Sequence, residues 1–225
     1  MPQSKERELK SVGFILRLIP AQEADVVVRI LTATGEKISA FAKAGLKSRK
    51  RFGGSLQPLL HIDFRATRRP HSEMHYLEET IVRQDFQNLK NQIEVFAGAS
   101  YLAELTDQCA HEGLENIEIY NLFGAGLRAL EAGLPLDGVL RQFEVKLMAL
   151  MGWLPAFDTM AGVSVADDTR ILLERLLSTS ILKNDFKESE SRKVESFTKP
   201  MLQAHWGDHK LKSVQFLSSL RRFQK

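Results

Sequence analysis

Near residue 84 the hydrophobic period of the chain changes from two to about 3.6, and this switch constrains the fold more than any other feature. Before it come short runs with strand character. Val12–Leu18 and Val26–Leu31 are apolar and rich in β-branched residues, and the second closes on the turn signal Thr32-Ala33-Thr34-Gly35. Lys37–Lys43 sets Ile38, Ala40 and Ala42 against Lys37, Ser39, Phe41 and Lys43; Leu59–Phe64 alternates likewise, and Met74–Val82 is a weaker fifth candidate. Five short strands in so few residues predict a small closed barrel of the OB type, and a β-sandwich module also fits the pattern.

Beyond the switch, Ile93, Phe96, Ala97, Ser100, Tyr101, Glu104 and Leu105 follow helical spacing. Asn116–Ala132 and Leu136–Met151 repeat it on either side of Gly133-Leu134-Pro135, a stop followed by a start. Thr169–Leu182, Ser189–Ala204 and Lys210–Phe223 complete the set. The expected chain is α+β, with an OB barrel over residues 1–82 and a helical domain over 83–225.

Charge is unevenly placed. The net charge is +3, yet residues 1–80 carry 14 Lys/Arg and 9 Asp/Glu, leaving the remainder net negative. Within Lys37–Arg69 nine basic residues face one acid, Asp63. Such an excess is the electrostatic footprint of a surface that meets phosphates, although a solvated basic loop without a partner has the same composition.

The densest part is the loop bearing Lys47, Arg49, Lys50 and Arg51, followed by Phe52-Gly53-Gly54. Paired glycines admit positive φ and let a polymer come close. Each cation can displace a counterion condensed on a nucleic-acid backbone. Phe41 and Phe52 offer flat faces for unpaired bases, where stacking contributes about 1–3 kcal/mol per base. Phe41 equally suits a barrel core, whereas Phe52, flanked by Arg51 and Gly53, is harder to bury. The expected nucleic-acid contacts are Lys37, Lys43, Lys47, Arg49, Lys50, Arg51, Phe52, Arg65, Arg68 and Arg69.

Catalytic signatures are missing. Neither Gly-x-Ser-x-Gly nor His-Glu-x-x-His occurs, and the phosphate-cradling Gly-x-x-x-x-Gly-Lys motif is absent. Gly124 and Gly126 lie inside a helical pattern and suit close helix packing. With one cysteine, Cys109, the chain holds no intramolecular disulfide and no cysteine zinc cluster. The pairs His71/His75 and His205/His209 are read as surface histidines, so no metal and no cofactor are expected. Met1–Lys10 lacks an apolar core and does not read as a secretory signal, no apolar run reaches membrane length, and a cytoplasmic protein is expected.

The run Gly35–Leu59, GEKISAFAKAGLKSRKRFGGSLQPL, resembles the signature of the RecO family of recombination mediators. There a strand ends in a lysine turn, a basic loop follows, and Gly-Gly-x-Leu-x-Pro forms the exit. The chain departs at Ala44-Gly45, where a glycine commonly follows the lysine directly. Val12–Lys37, with Glu23 and Asp25, is similar to the family's first hairpin; Tyr101–Cys109, Leu140–Asp158 and His209–Leu217 resemble its helices in order.

That resemblance implies a protein that binds single- and double-stranded DNA, anneals complementary strands and helps load RecA onto strands coated by single-strand-binding protein (SSB). It implies RecR as a partner, and contact with the acidic, Phe-ended SSB tail through the helical domain. On that basis Arg141 is the candidate cation for the tail, with Lys210 and Lys212 adding charge; Arg141 paired to a nearby helix carboxylate is the other possibility. Many relatives carry a four-cysteine zinc insertion after the central helix, but Phe157–Arg170 contains no cysteine here. An RNA- or single-strand-binding adaptor of another pathway, and an enzyme with an unrecognised site, are the competing functions.

Overall fold

The structure, a computed structural model, describes residues 7–68, 72, 74–154, 167–183, 186–206 and 211–223. Strands β1 (Arg7–Pro20), β2 (Val26–Thr32), β3 (Lys37–Ala42), β4 (His61–Arg68) and β5 (His75–Gln84) close into a barrel in the order β1-β2-β3-β5-β4. This is the OB arrangement, and closure rules out the sandwich. Long β1 pairs antiparallel with β4 from Arg7 to Phe14 and with β2 from Gly13 to Pro20, so one strand seals both sides. Its register shifts between Ile15 and Arg17, a bulge of the kind that lets a strand bend from one ladder to the next. At the crossing a Cβ on Gly13 would lie 2.6 Å from both the Ile30 side chain and the Leu31 carbonyl. Between β3 and β5 the pairing is parallel and short, Ala40 to His75 and Phe41 to Tyr76.

Alternation decides which side chains fill the barrel. Ile38, Ala40 and Ala42 face inward with Val28, Ile30, Ile62, Phe64 and Leu77, and Phe41 falls on the outer face, half-buried. Between β3 and β4 a four-residue helix, α1 (Arg49–Phe52), stands where the sequence suggests an open loop.

Two compact units emerge: Met1–Phe86 with Ala103–Tyr120, and Gln87–Leu102 with Asn121–Lys225. The first is the barrel plus the end of helix α3 (Ile93–Cys109) and the following connection. There Phe14 stacks on His61 at 4.3 Å, and His61 Nε2 is hydrogen-bonded to the Tyr120 hydroxyl at 2.8 Å. The β2–β3 turn needs glycine at Gly35, whose φ is +82° and whose Cβ would strike the Asn116 carbonyl.

The second unit is helical. It holds α2 (Gln87–Asn91), most of α3, α4 (Ile117–Glu131) from Asn121 onward, and α5 (Leu136–Leu150). After these come α6 (Asp167–Ser178), a 3-10 turn at Ile181–Lys183, α7 (Glu188–Trp206) and α8 (Lys212–Phe223). Helix α5 is its centre, burying Val139, Leu140, Phe143, Val145, Leu147 and Met148. Gly126 lets α4 approach closely, because a Cβ there would lie 2.8 Å from Leu102 and 3.2 Å from Phe143. The helix expected over Thr169–Leu182 stops at Ser178. Gln142 Nε2 donates to the Leu176 and Thr179 carbonyls at 3.0 and 2.9 Å, and Lys146 Nζ donates to Leu177 at 2.6 Å, satisfying acceptors that a helix end leaves open. Among the described residues no helix is long and apolar enough to cross a membrane.

Candidate nucleic-acid interface

Where β3 ends, the chain turns through Ala44, a non-glycine residue with φ of +50°. The resemblance to RecO implies a glycine at this position, and the left-handed geometry favours one. Asp25 holds the turn: its Oδ1 accepts the Ala44 N–H at 2.6 Å. Gly45 cannot bear a side chain, since a Cβ would press within 2.8 Å of Val26 and 3.0 Å of Leu56. Helix α1 follows and ends on Gly53, which takes φ of +51° and donates its N–H to the Arg49 carbonyl at 2.9 Å. Gly54 has φ of +85° and open space around its α-carbon.

This β3–β4 loop carries Lys43, Lys47, Arg49 and Lys50 into solvent, and no ion pair holds them among the described residues. Arg51 is half-buried and braces the turn instead. Its Nε donates to Ser48 Oγ at 3.2 Å, its Nη2 donates to the Lys43 carbonyl, and the guanidinium lies 4.9 Å from the centre of the Phe52 ring. Four cations without carboxylate partners on one short loop form a concentrated positive field.

Three expected contacts are buried or already paired. Phe52 is 2% exposed and part of the barrel core, so it offers no stacking face. The cause is α1, which turns the ring inward under Arg51 while the neighbouring cations point out. Lys37 is withdrawn as well: its side chain is 12% exposed, and Nζ lies 2.5 Å from the Asp107 carbonyl and 3.5 Å from the Asp107 carboxylate. Arg65 faces outward but sits among Glu8, Glu78 and Glu79 at 3.6, 3.2 and 3.0 Å, so its charge is compensated. The surrounding carboxylates hold its pKa above the ordinary arginine value. Arg68 is exposed at the end of β4 and donates to the Ser72 carbonyl at 3.3 Å. Arg69 lies outside the described residues.

Tyr76 is the residue that sequence reasoning missed. It packs edge-on against Phe41 on the outer face, ring centres 5.5 Å apart, and both rings are half-exposed. The parity of Met74–Val82 carries this information, but pairing it with Phe41 requires the parallel β3–β5 contact.

In the helical unit Arg141 is 13% exposed at its side chain and lies 2.9 Å from Glu144, a carboxylate with 1% exposure. Tyr101 donates to Glu144 Oε1 at 2.7 Å and Thr198 donates to Oε2 at 2.7 Å. Burial raises the Glu144 pKa, with Arg141 and the two hydroxyls acting the other way. Lys212 is exposed at the start of α8, and Lys210 lies outside the described residues.

The barrel with its basic loop matches the N-terminal half of a known family, described as Recombination protein O N terminal, over residues 7–86. The helices match its partner, Recombination protein O C terminal, over residues 90–165. The chain belongs to the RecO family. It is 35% identical over 153 residues to the DNA repair protein RecO of Anaeromyxobacter sp. (strain K), covering 68% of this chain and 60% of that one. Toward DNA repair protein RecO of Leuconostoc citreum (strain KM20) the identity is 32% over 156 residues, covering 68% and 59%. For Syntrophus aciditrophicus (strain SB) it is 30% over 149 residues, covering 66% and 58%. The chain thus spans about three fifths of the length of these RecO relatives.

A RecO-type cysteine zinc site does not fit this chain. Cys109 is the one cysteine, buried in the barrel unit with its thiol pushed up to about 12, and a lone thiol cannot supply a tetrahedral donor set. Among the described residues no cluster of three or more His, Cys, Asp or Glu side chains is placed to hold a metal ion. His205 is exposed, stacked on Trp153 at 4.3 Å, and His71 and His209 lie outside the described residues. His75 departs from the surface expectation, being 8% exposed at the start of β5.

Proposed function

We propose that the chain is a non-catalytic recombination mediator. It binds single- and double-stranded DNA, anneals complementary strands, and helps load RecA onto SSB-coated single strands in recombinational repair. Residues 1–82 serve as the nucleic-acid-binding domain and 83–225 as the helical domain, in a bacterial cytoplasmic, nucleoid-associated protein. The observation that carries this function is the set Lys43, Lys47, Arg49 and Lys50, exposed together on the β3–β4 loop of an OB barrel in a RecO-family chain. A polyanion gains affinity from such a set by releasing counterions. Phe41 on β3 and Tyr76 on the adjoining β5 supply half-exposed rings for base stacking. RecR and the SSB tail are the protein partners, the tail reaching Arg141, Lys210 and Lys212 on the helical side; with Arg141 already held by Glu144, an acidic peptide has to compete with that carboxylate.

Annealing of complementary fluorescent oligonucleotides, with and without SSB, is the test. The expected result is faster annealing in both conditions. No acceleration in either removes the mediator function, and a marked preference for RNA favours an adaptor of another pathway.

A further inference from the structure

The ladders of the barrel set four outward side chains in one line. Ile19 on β1 pairs with Val27 on β2, Val27 with Phe41 on β3, and Phe41 with Tyr76 on β5. Their strand neighbours Leu18, Val28, Ala40 and Leu77 pack into the core, so alternation turns all four outward, and each is half-exposed. A sheet face that meets water ordinarily carries polar residues at such positions. Here one register level is apolar on four neighbouring strands. With strands about 4.8 Å apart the line is ~14 Å long, the rise of about four stacked nucleotides.

An open cation stands at each end of a diagonal across this line. Lys43 lies two residues beyond Phe41, exposed, where β3 runs into the basic loop. In the other direction the next outward residues are Arg17, Arg29 and Ser39, which share one level. Arg29 is held by Asp107 at 3.1 Å, and Ser39 donates to Glu112 at 2.7 Å. Arg17 is different. It follows the β1 bulge, is exposed, and is in no ion pair among the described residues. Four residues along the strands and two gaps across them put Lys43 and Arg17 ~16 Å apart.

We infer that a single strand leaving the β3–β4 loop crosses the barrel over Phe41, Val27 and Ile19 and ends on Arg17, so that β1 carries the far end of the nucleic-acid site. Bases lie on the apolar line, and Arg17 takes a phosphate. OB barrels commonly offer the face of strands 2 and 3 to oligonucleotides. In this chain the apolar level continues past that face onto β1, and the free cation at its end is there too. The occupant has to bring negative charge and flat apolar surface together. An unpaired strand does so, whereas a duplex keeps its base faces stacked inside and an acidic peptide has few such faces.

This path rests on nucleic-acid binding by the barrel, and the test separates the two. Both native tryptophans, Trp153 and Trp206, lie in the helical unit, so a tryptophan placed on the barrel reports locally. Ile19→Trp in the full chain is expected to be quenched on titration with oligo-dT. Ile81→Trp, at a 66% exposed position on β5 away from the line, is expected to keep its emission. Arg17→Ala is expected to flatten the slope of log K against log salt by about 0.7 units, one phosphate of a single strand, with the urea unfolding midpoint unchanged. Oligonucleotide binding with Ile19→Trp unquenched and the Arg17→Ala slope unaltered overturns the path over β1 and leaves binding at the basic loop intact. Equal quenching of Ile19→Trp and Ile81→Trp also overturns it, because contact is then not confined to the line. No binding of oligo-dT by wild type overturns the nucleic-acid function itself.

Discussion

The Arg29 guanidinium donates to both carboxylate oxygens of Asp107, at 3.1 and 3.2 Å, across 78 residues of sequence. Asp107 is 5% exposed and also faces Lys37 Nζ. One carboxylate near the end of α3 thereby fixes two cations on the outer face of β2 and β3, a face that the charge pattern alone assigns to a polyanion. Breaking a buried pair by removing one partner leaves the other charge uncompensated. Asp107→Asn is therefore expected to lower stability by about 3 kcal/mol, read from urea unfolding. Lys37→Met, in contrast, should leave the salt dependence of DNA binding unchanged; a flatter slope would return Lys37 to the phosphate contacts.

The exposed β3–β4 loop predicts a different signature. Replacing Lys47, Arg49, Lys50 and Arg51 together by Ala should flatten the slope of log K against log salt by roughly 2–3 units for a single strand. An unchanged slope places the strand elsewhere on the chain. Arg51→Ala alone should cost stability as well, because its guanidinium braces the turn through Ser48, the Lys43 carbonyl and Phe52.

Ala44 occupies the left-handed region, where a Cβ costs roughly 1–2 kcal/mol, part of which glycine gives back through its unfolded-state freedom. Ala44→Gly is expected to raise stability by about 1 kcal/mol at most, as a higher urea midpoint with the same m-value. A loss of stability would mean that the Asp25–Ala44 bond tolerates no change in the turn.

Glu144 predicts how the helical unit responds to pH. Its raised pKa means that the folded chain binds this proton more tightly than the unfolded chain does. The stability it contributes is present below the ordinary glutamate range and declines as the pH rises through the raised value. Relative to Glu144→Gln, wild-type stability is expected to fall as the pH climbs from the ordinary glutamate range. Chemical unfolding at a series of pH values checks the sign, and a rise over that interval means that pairing with Arg141 outweighs burial.

Much of this architecture is legible along the chain, because period-2 and period-3.6 patterns are local properties that burial enforces residue by residue. Ile38, Ala40 and Ala42 turn inward as their alternation requires, and Gly133-Leu134-Pro135 separates α4 from α5 where a stop and a start are written. Lys47, Arg49 and Lys50 on the β3–β4 loop are legible as well, since no acid stands between Lys37 and Ile62, whereas Arg51 is grouped with them in sequence and turns back to brace the loop. What tertiary structure alone decided is which charges and rings remain available. Phe52 looks exposed between Arg51 and Gly53 until α1 rotates it into the barrel, and Lys37 looks free until Asp107 arrives from α3. Tyr76 becomes Phe41's neighbour, and His75 becomes buried, only when a short parallel contact closes β3 on β5. Partners brought together by closure are distant in sequence, so no local pattern encodes them, and they settle which groups water and ligands can reach.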